Sequence, residues 1–194
     1  MTALWRASHR LDHPYPRLIR ALILLGQRRD EVADMTWEEV DLDHAIWIIP
    51  GERTKNAKPH MVPLARQAIE ELKATRARKG FLFSASGERP IQNWSYWKRK
   101  IDKLFKDELE KAELPPAAPW TIHDLRRSVA SGMQRLGVHR DVVEAFSNRQ
   151  VRDGVAGIYQ RHDYRSEVRV AAQRWGDHVE SLVSGPVELV SEAA

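Results

Sequence analysis

The chain has 194 residues, 42% of them hydrophobic and 30% charged. That is enough for one domain with a buried core and excludes a disordered polypeptide. A net charge of +4 and a pI near 9.5 point to an anionic partner, nucleic acid first. The absence of cysteine excludes disulfides, thiolate metal sites and cysteine nucleophiles, and apolar runs such as Ala21–Leu25 are far too short to span a bilayer. No signal-peptide pattern opens the chain, so a cytoplasmic protein is expected.

In chain order, residues 1–14 read as an irregular lead-in. Pro14 and Pro16 then introduce a helix over Arg17–Leu25, stopped by Gly26, and a second short helix follows over Asp30–Met35 with acidic residues in its first turn. Ile46–Ile49, closed by Pro50 and Gly51, reads as a buried strand. Arg53–Lys55 and His60–Val62 are expected to pair as a hairpin around Asn56-Ala57-Lys58. A charged helix is predicted from Leu64 to Lys79 with Gly80 as its stop, then an extended Phe81–Phe83. A long amphipathic helix follows over Asn93–Ala112, then a Pro/Ala loop over Leu114–Pro119. Thr121 and Asp124 form a capping box that opens a helix ending near Gly137. Short helices are read over Asp141–Phe146 and Val155–Tyr159, a last helix over Glu167–Val183, and a frayed tail beyond it. The sum is a mainly α fold with a small antiparallel β-sheet.

Several positively charged groups suit a phosphodiester. On the helix opened by Thr121, the residues Ile122, Leu125, Val129, Met133 and Leu136 share one apolar stripe. Arg126 stands at the edge of that stripe, His123 three residues before it, and Arg127 points to solvent. His123 and Arg126 lie in the first turns, where free N–H groups and the helix dipole also favour an anion. In Gly26-x-Arg28-x-x-Glu31 an arginine sits at a corner between helices with a carboxylate placed to brace it. Lys55, near a hairpin tip, can reach into a groove and give a proton, whereas His60 reads as structural. Of the four tyrosines, Tyr159 follows the flexible Gly154–Gly157 stretch, and Tyr164 is the second candidate. Taken singly, each of these motifs is also what an ordinary capped helix or edge strand displays.

Their order is more telling. Gly26-x-Arg28-x-x-Glu31, then Thr54-Lys55-Asn56 with Pro59-His60-x-Val62-Pro63-Leu64, then His123-x-x-Arg126, then Gly157-Ile158-Tyr159 resembles the tyrosine recombinase (phage integrase) family, and the wording is most similar to integrases of prophages and genomic islands. The resemblance runs over about residues 15–180. It implies the C-terminal catalytic domain of that family, over residues 15–183, without the family's separate N-terminal DNA-binding domains. Carried over residue by residue, it implies that Arg28 and Arg126 clamp the scissile phosphate, with Glu31 as a brace. Lys55 would protonate the leaving 5′ oxygen, His123 would act as acid and base, and Tyr159 would attack to give a 3′-phosphotyrosyl link. It further implies double-stranded DNA as partner, a homotetramer assembled on it, no membrane, and no metal or other cofactor. A C-terminal segment such as Val187–Val190 would dock on a neighbouring protomer.

One position departs from the pattern. Where the family has Asn-His, or tryptophan in place of the histidine, this chain has Asn148-Arg149. Arginine still donates a hydrogen bond but cannot cycle a proton, so the expectation is a clamp role for Arg149 and reduced activity. The competing readings are a DNA-binding remnant that no longer cuts and a type IB topoisomerase-like enzyme.

Overall fold

The chain begins with a helix, α1 (Thr2–His9), where an irregular lead-in over residues 1–14 was expected. Ala3, Leu4 and Ala7 recur at helical spacing, are buried, and seat α1 against a later helix; no side-chain cap announces its start. The computed structural model describes residues 1–149 and 164–185. The short helix read over Val155–Tyr159 and the tail beyond Gly185 lie outside the described residues.

Next comes α2 (Pro14–Leu25), with Pro14 in the first turn, where its missing N–H costs nothing, and His13 Nδ1 accepting from the Tyr15 N–H at 3.1 Å. Ten of its twelve residues are buried, Arg20 among them and paired with Glu71, so it forms the centre of the molecule. Gly26 ends it in the left-handed region at φ 60°. A β-carbon there would lie 2.9 Å from Val129 Cγ1 and 3.0 Å from Phe146 Cε1. Only glycine lets the chain turn this close to two later helices, and the turn delivers Gln27 and Arg28 beside them. After it, α3 (Arg29–Ala33) is one short turn.

The sheet is antiparallel in the order β1 (Val40–Asp41), β2 (Ile46–Ile49), β3 (His60–Pro63), with Val40 opposite Trp47, Trp47 opposite Val62 and Ile49 opposite His60. Trp47 and Ile49 face the core and Ile48 faces solvent. The pairing differs from the expected hairpin. Arg53–Lys55 is not a strand, because Pro50 lacks the N–H a ladder needs and residues 51–53 wind into a 3-10 turn. Residues 50–59 are therefore a folded connection. Thr54 Oγ1 donates to the carbonyls of Gly51 (3.0 Å) and Lys58 (2.8 Å) within it.

The helix expected over Leu64–Lys79 is shorter, α4 (Arg66–Lys73). The chain turns off at Thr75, whose hydroxyl bonds the Leu72 carbonyl at 2.8 Å, and the Arg78 guanidinium folds back on the Lys73 carbonyl at 2.9 Å. Gly80 serves the turn that pairs Phe81 with Gly87 rather than a helix end, and Phe81 makes an isolated bridge to Thr36. Then come α5 (Trp94–Lys111), against which α1 packs, α6 (Ile122–Arg135), α7 (Arg140–Phe146) and α8 (Arg165–Ser184). Trp175 of α8 is buried between α2 and α6, its indole N–H donating to the Ile23 carbonyl at 2.8 Å. One core cluster runs from Leu4 to Val179. The molecule is thus mainly helical with a small three-stranded antiparallel sheet, as the sequence implied. No described helix is long and apolar enough to cross a membrane.

Candidate active site

The site is built around the C-terminal turn of α7. A helix leaves its last carbonyls without internal partners, and they must be satisfied locally. Here the Asn148 N–H bonds the Ala145 carbonyl at 3.2 Å and the Arg149 N–H bonds the Glu144 carbonyl at 2.9 Å, with Asn148 left-handed at φ 47°. That is a Schellman ending, and asparagine is among the few residues besides glycine that accept it. The carbonyls of Phe146, Ser147 and Asn148 remain free to face outward from the helix, at its negative end.

Four side chains distant in sequence take those carbonyls. Gln27, buried, donates to Phe146 at 2.6 Å and to Leu25 at 3.0 Å. His60 Nε2 meets the Phe146 carbonyl at 3.2 Å. Arg126 donates through Nη2 to Ser147 and through Nη1 to Gly26 at 3.3 Å. Arg28 donates through Nη2 to Asn148 at 3.2 Å. Two arginines predicted from separate motifs are therefore hung on consecutive carbonyls of one turn.

The arginines differ in burial. Arg126 is 5% exposed, and burial, followed by repulsion from Arg28 and Arg149, lowers its pKa to about 10. Arg28 is half-buried, 31% exposed, and Glu31 neutralises it: the carboxylate takes the Arg28 main-chain N–H at 2.9 Å and Nη1 at 2.7 Å, while itself 3% exposed. One carboxylate thus satisfies the Arg28 main chain at the helix start and braces its guanidinium.

His123 lies exposed in the first turn of α6. The helix starts there because Asp124 takes both the main-chain N–H and the hydroxyl of Thr121, each at 2.8 Å. Burial, then the charges of Arg127, Arg126 and Arg149, hold the His123 pKa below the usual histidine value. His60 is lowered as well, first by burial, and remains a neutral donor in the wall. Arg127 is exposed and paired with Asp124 at 2.9 Å, as expected of a solvent-facing residue.

Lys55 is exposed in the connection between β2 and β3 and has no side-chain partner among the described residues. The connection is tied to the site in two places. Arg53 donates to the Glu31 carbonyl at 3.2 Å and pairs with Glu39, and Asn56 Nδ2 donates to Asn148 Oδ1 at 3.2 Å. Arg149 is exposed, its side-chain charge close enough to lower the pKa of Arg126 and His123. Tyr159 lies outside the described residues. Tyr164, the second tyrosine candidate, directs its hydroxyl to Asp141 at 3.4 Å, at the start of α7. That is one helix length, about 10 Å, from the turn that holds the arginines.

The sequence reading named Asn56 and Asn148 only as members of motifs and Gln27 not at all, and it gave none of them the joining role they have between the arginine and lysine segments. Nor did it find the open hollow of about 540 Å³ that continues from Arg28 and His123 past Arg29, Trp94, Lys98 and Trp120. Buried amides leave no periodic signal; for Asn148 the hint was a left-handed-tolerant residue just past a helix end. Lys98 Nζ sits 3.7 Å over the Trp120 ring and the Arg29 guanidinium 4.9 Å over Trp94, and each is paired with a carboxylate, Lys98 with Asp102 and Arg29 with Asp30, so the hollow is lined by aromatic rings and ion-paired cations. Chemically, the turn gathers a buried cation and a braced cation on adjacent carbonyls, with an exposed imidazole electrostatically coupled to them and the Lys55-bearing connection tied to the same turn through Asn56.

The sequence profile of the phage integrase family matches residues 2–165. The chain is 28% identical over 171 residues to the prophage integrase IntZ of Escherichia coli (strain K12), covering 86% of this chain and 40% of that protein. To prophage integrase IntA of the same strain it is 28% identical over 170 residues, covering 86% and 39%. The chain thus spans about 40% of the length of these relatives. Among solved structures, an integrase from mycobacterium phage Brujita superposes with a TM-score of 0.58 at 18% identity, over 82% of this chain and 52% of that one, which shows a shared fold.

Proposed function

Because the chain belongs to the phage integrase family, we propose that it is the strand-transferring domain of a site-specific DNA recombinase, working through a 3′-phosphotyrosyl intermediate on double-stranded DNA. The observation that carries this reading is the convergence of Arg28 and Arg126 on adjacent carbonyls of the α7 ending, with His123 electrostatically coupled to Arg126. Fixed cations at one spot are what phosphoryl transfer requires, since negative charge builds on the non-bridging oxygens in the transition state.

In the proposed reaction the Tyr159 hydroxyl attacks the scissile phosphorus. The Tyr159 O–P bond forms as the P–O5′ bond breaks. His123 takes the phenolic proton, and the Lys55 ammonium gives one to the departing 5′ oxygen. Arg28 and Arg126 hold the non-bridging oxygens, with Glu31 keeping Arg28 in its pose. One phosphodiester is exchanged for another, so the bond is conserved for rejoining when a 5′ hydroxyl attacks the phosphotyrosine. Arg149 keeps a donor near the same phosphate but cannot relay a proton, which supports a slower enzyme than one with histidine there. Several protomers acting together on DNA complete the reading.

The test is covalent trapping. Supercoiled plasmid in EDTA, quenched with detergent, is expected to yield relaxed topoisomers and a protein–DNA adduct whose attachment maps to Tyr159, with both lost in Tyr159→Phe. Salt-sensitive DNA binding with no adduct would instead make the chain a DNA-binding remnant.

A further inference from the structure

The β2–β3 connection carries Lys55, and nothing in the strands themselves determines how that connection leans. Its base is held by Arg53 on the Glu31 carbonyl. Nearer Lys55, the contact to the arginine-bearing turn is between two primary amides, Asn56 Nδ2 donating to Asn148 Oδ1 at 3.2 Å, across 92 residues of sequence. Asn56 is fixed from its other side as well, its Oδ1 accepting the Lys58 N–H at 3.4 Å. Asn148 is fixed by its left-handed backbone and by Arg28 on its carbonyl. The same short turn therefore seats Arg28, Arg126 and the residue next to Lys55.

We propose that the Asn56–Asn148 amide pair is a latch that sets the position of Lys55 relative to the Arg28–Arg126 pair, making both asparagines positioning residues for proton delivery to the leaving oxygen. The proposal rests on the reading of Lys55 as the acid. An amide pair suits this task because it is neutral: it neither competes with the arginines for phosphate nor perturbs the ammonium, and it can open and close as DNA enters. The Asn148 Nδ2 is buried without a partner among the described residues, so the latch uses the acceptor half of that amide and leaves a donor at the edge of the clamp.

The experiment compares leaving groups. On a nicked duplex carrying the cleavage site mapped by adduct formation, the scissile 5′ bridging oxygen is replaced by sulfur, which departs as a thiolate and needs no proton. Asn148→Gly keeps the left-handed turn and the main-chain carbonyl for Arg28 but loses the acceptor for Asn56, and Asn56→Ala loses the donor to Asn148 together with the acceptor for the Lys58 N–H. Each variant is expected to slow single-turnover adduct formation by about 10- to 100-fold on the oxygen substrate, part of the gain general acids supply. Each is expected to return to the native rate on the sulfur substrate, with unchanged DNA affinity and melting temperature. Equal slowing on both substrates, or no slowing on oxygen, overturns the latch alone when Lys55→Ala is rescued by sulfur. If Lys55→Ala is not rescued, the acid assignment falls and the latch falls with it.

Discussion

Arg126 carries the greatest tension in the site. Its pKa, lowered to about 10 by burial and by its cationic neighbours, still leaves it charged at neutral pH. The carbonyls of Gly26 and Ser147 satisfy its N–H groups, but neutral oxygens do not cancel a full charge. A phosphate arriving beside it would, so the site is better matched to an occupied state than to an empty one. Lysine is a poor replacement, because its ammonium loses its proton more readily in that burial and lacks the fixed planar fork that spans these two carbonyls. Arg149 is the opposite case, exposed and attached to the turn through its main chain. Replacing it by histidine is expected to speed single-turnover adduct formation by about 10-fold or more, within the range of a positioned acid–base group; an unchanged rate would show that arginine costs nothing there. A second consequence follows from sign. Burial, Arg127, Arg126 and Arg149 all lower the His123 pKa, so neutral His123 persists to a lower pH than an ordinary histidine. In Arg149→Ala one depressing charge is gone, and the acid limb of the pH–rate profile should move to higher pH. A limb that stays put would remove Arg149 from the surroundings of His123.

At the scale of elements, the site depends on how α6 is seated. Gly132 lies where α6 crosses α8, and a β-carbon there would come within 2.4 Å of the Trp175 ring. That ring cannot yield easily, being buried and bonded to the Ile23 carbonyl of α2. Gly132→Ala therefore overpacks the joint of three helices. It is expected to cost about 1–3 kcal/mol, less the roughly 1 kcal/mol by which alanine favours a helix. Urea unfolding measures the net loss, and a gain in stability would mean the joint is loose. The same element shows what the sequence made legible. The α6 start and its inward stripe follow from Thr121, Asp124 and the spacing of Leu125, Val129 and Met133, because capping and periodicity are local. The α1 helix was not legible, since it has no side-chain cap and its burial depends on α5. The strand pairing differs from the expected hairpin because Pro50 and Gly51 lead into a 3-10 turn that takes up the start of Arg53–Lys55. For the site, charged residues could be read singly and, by resemblance, as a set. The amides that join them could not, because Gln27, Asn56 and Asn148 matter only through partners on other elements.

For the whole molecule, the distribution of charge matters more than its sum. A net +4 is modest, yet the hollow gathers Arg28, Arg29 and Lys98 along one face, with Asp30 among them. On the proposed reading the clamp residues would converge on one phosphate, so together they would release little more than one phosphate's counterions however many of them there are. Side chains along the hollow would instead meet neighbouring phosphates. Affinity and chemistry should therefore separate. Arg29→Gln is expected to lower the slope of log affinity against log salt by about 1, since each neutralised duplex phosphate contributes about 0.9, while DNA bound at saturation reacts at the native rate. Arg126→Ala is expected to do the reverse, abolishing adduct formation at any DNA concentration while changing the slope by less than 1. Titrating labelled duplex at several salt concentrations alongside single-turnover rates distinguishes the two. If Arg29→Gln leaves the slope unchanged, the DNA does not run along the hollow. In that case the cations over Trp94 and Trp120 are packing contacts, and a path for the duplex on the far side of Arg28 becomes the one to test.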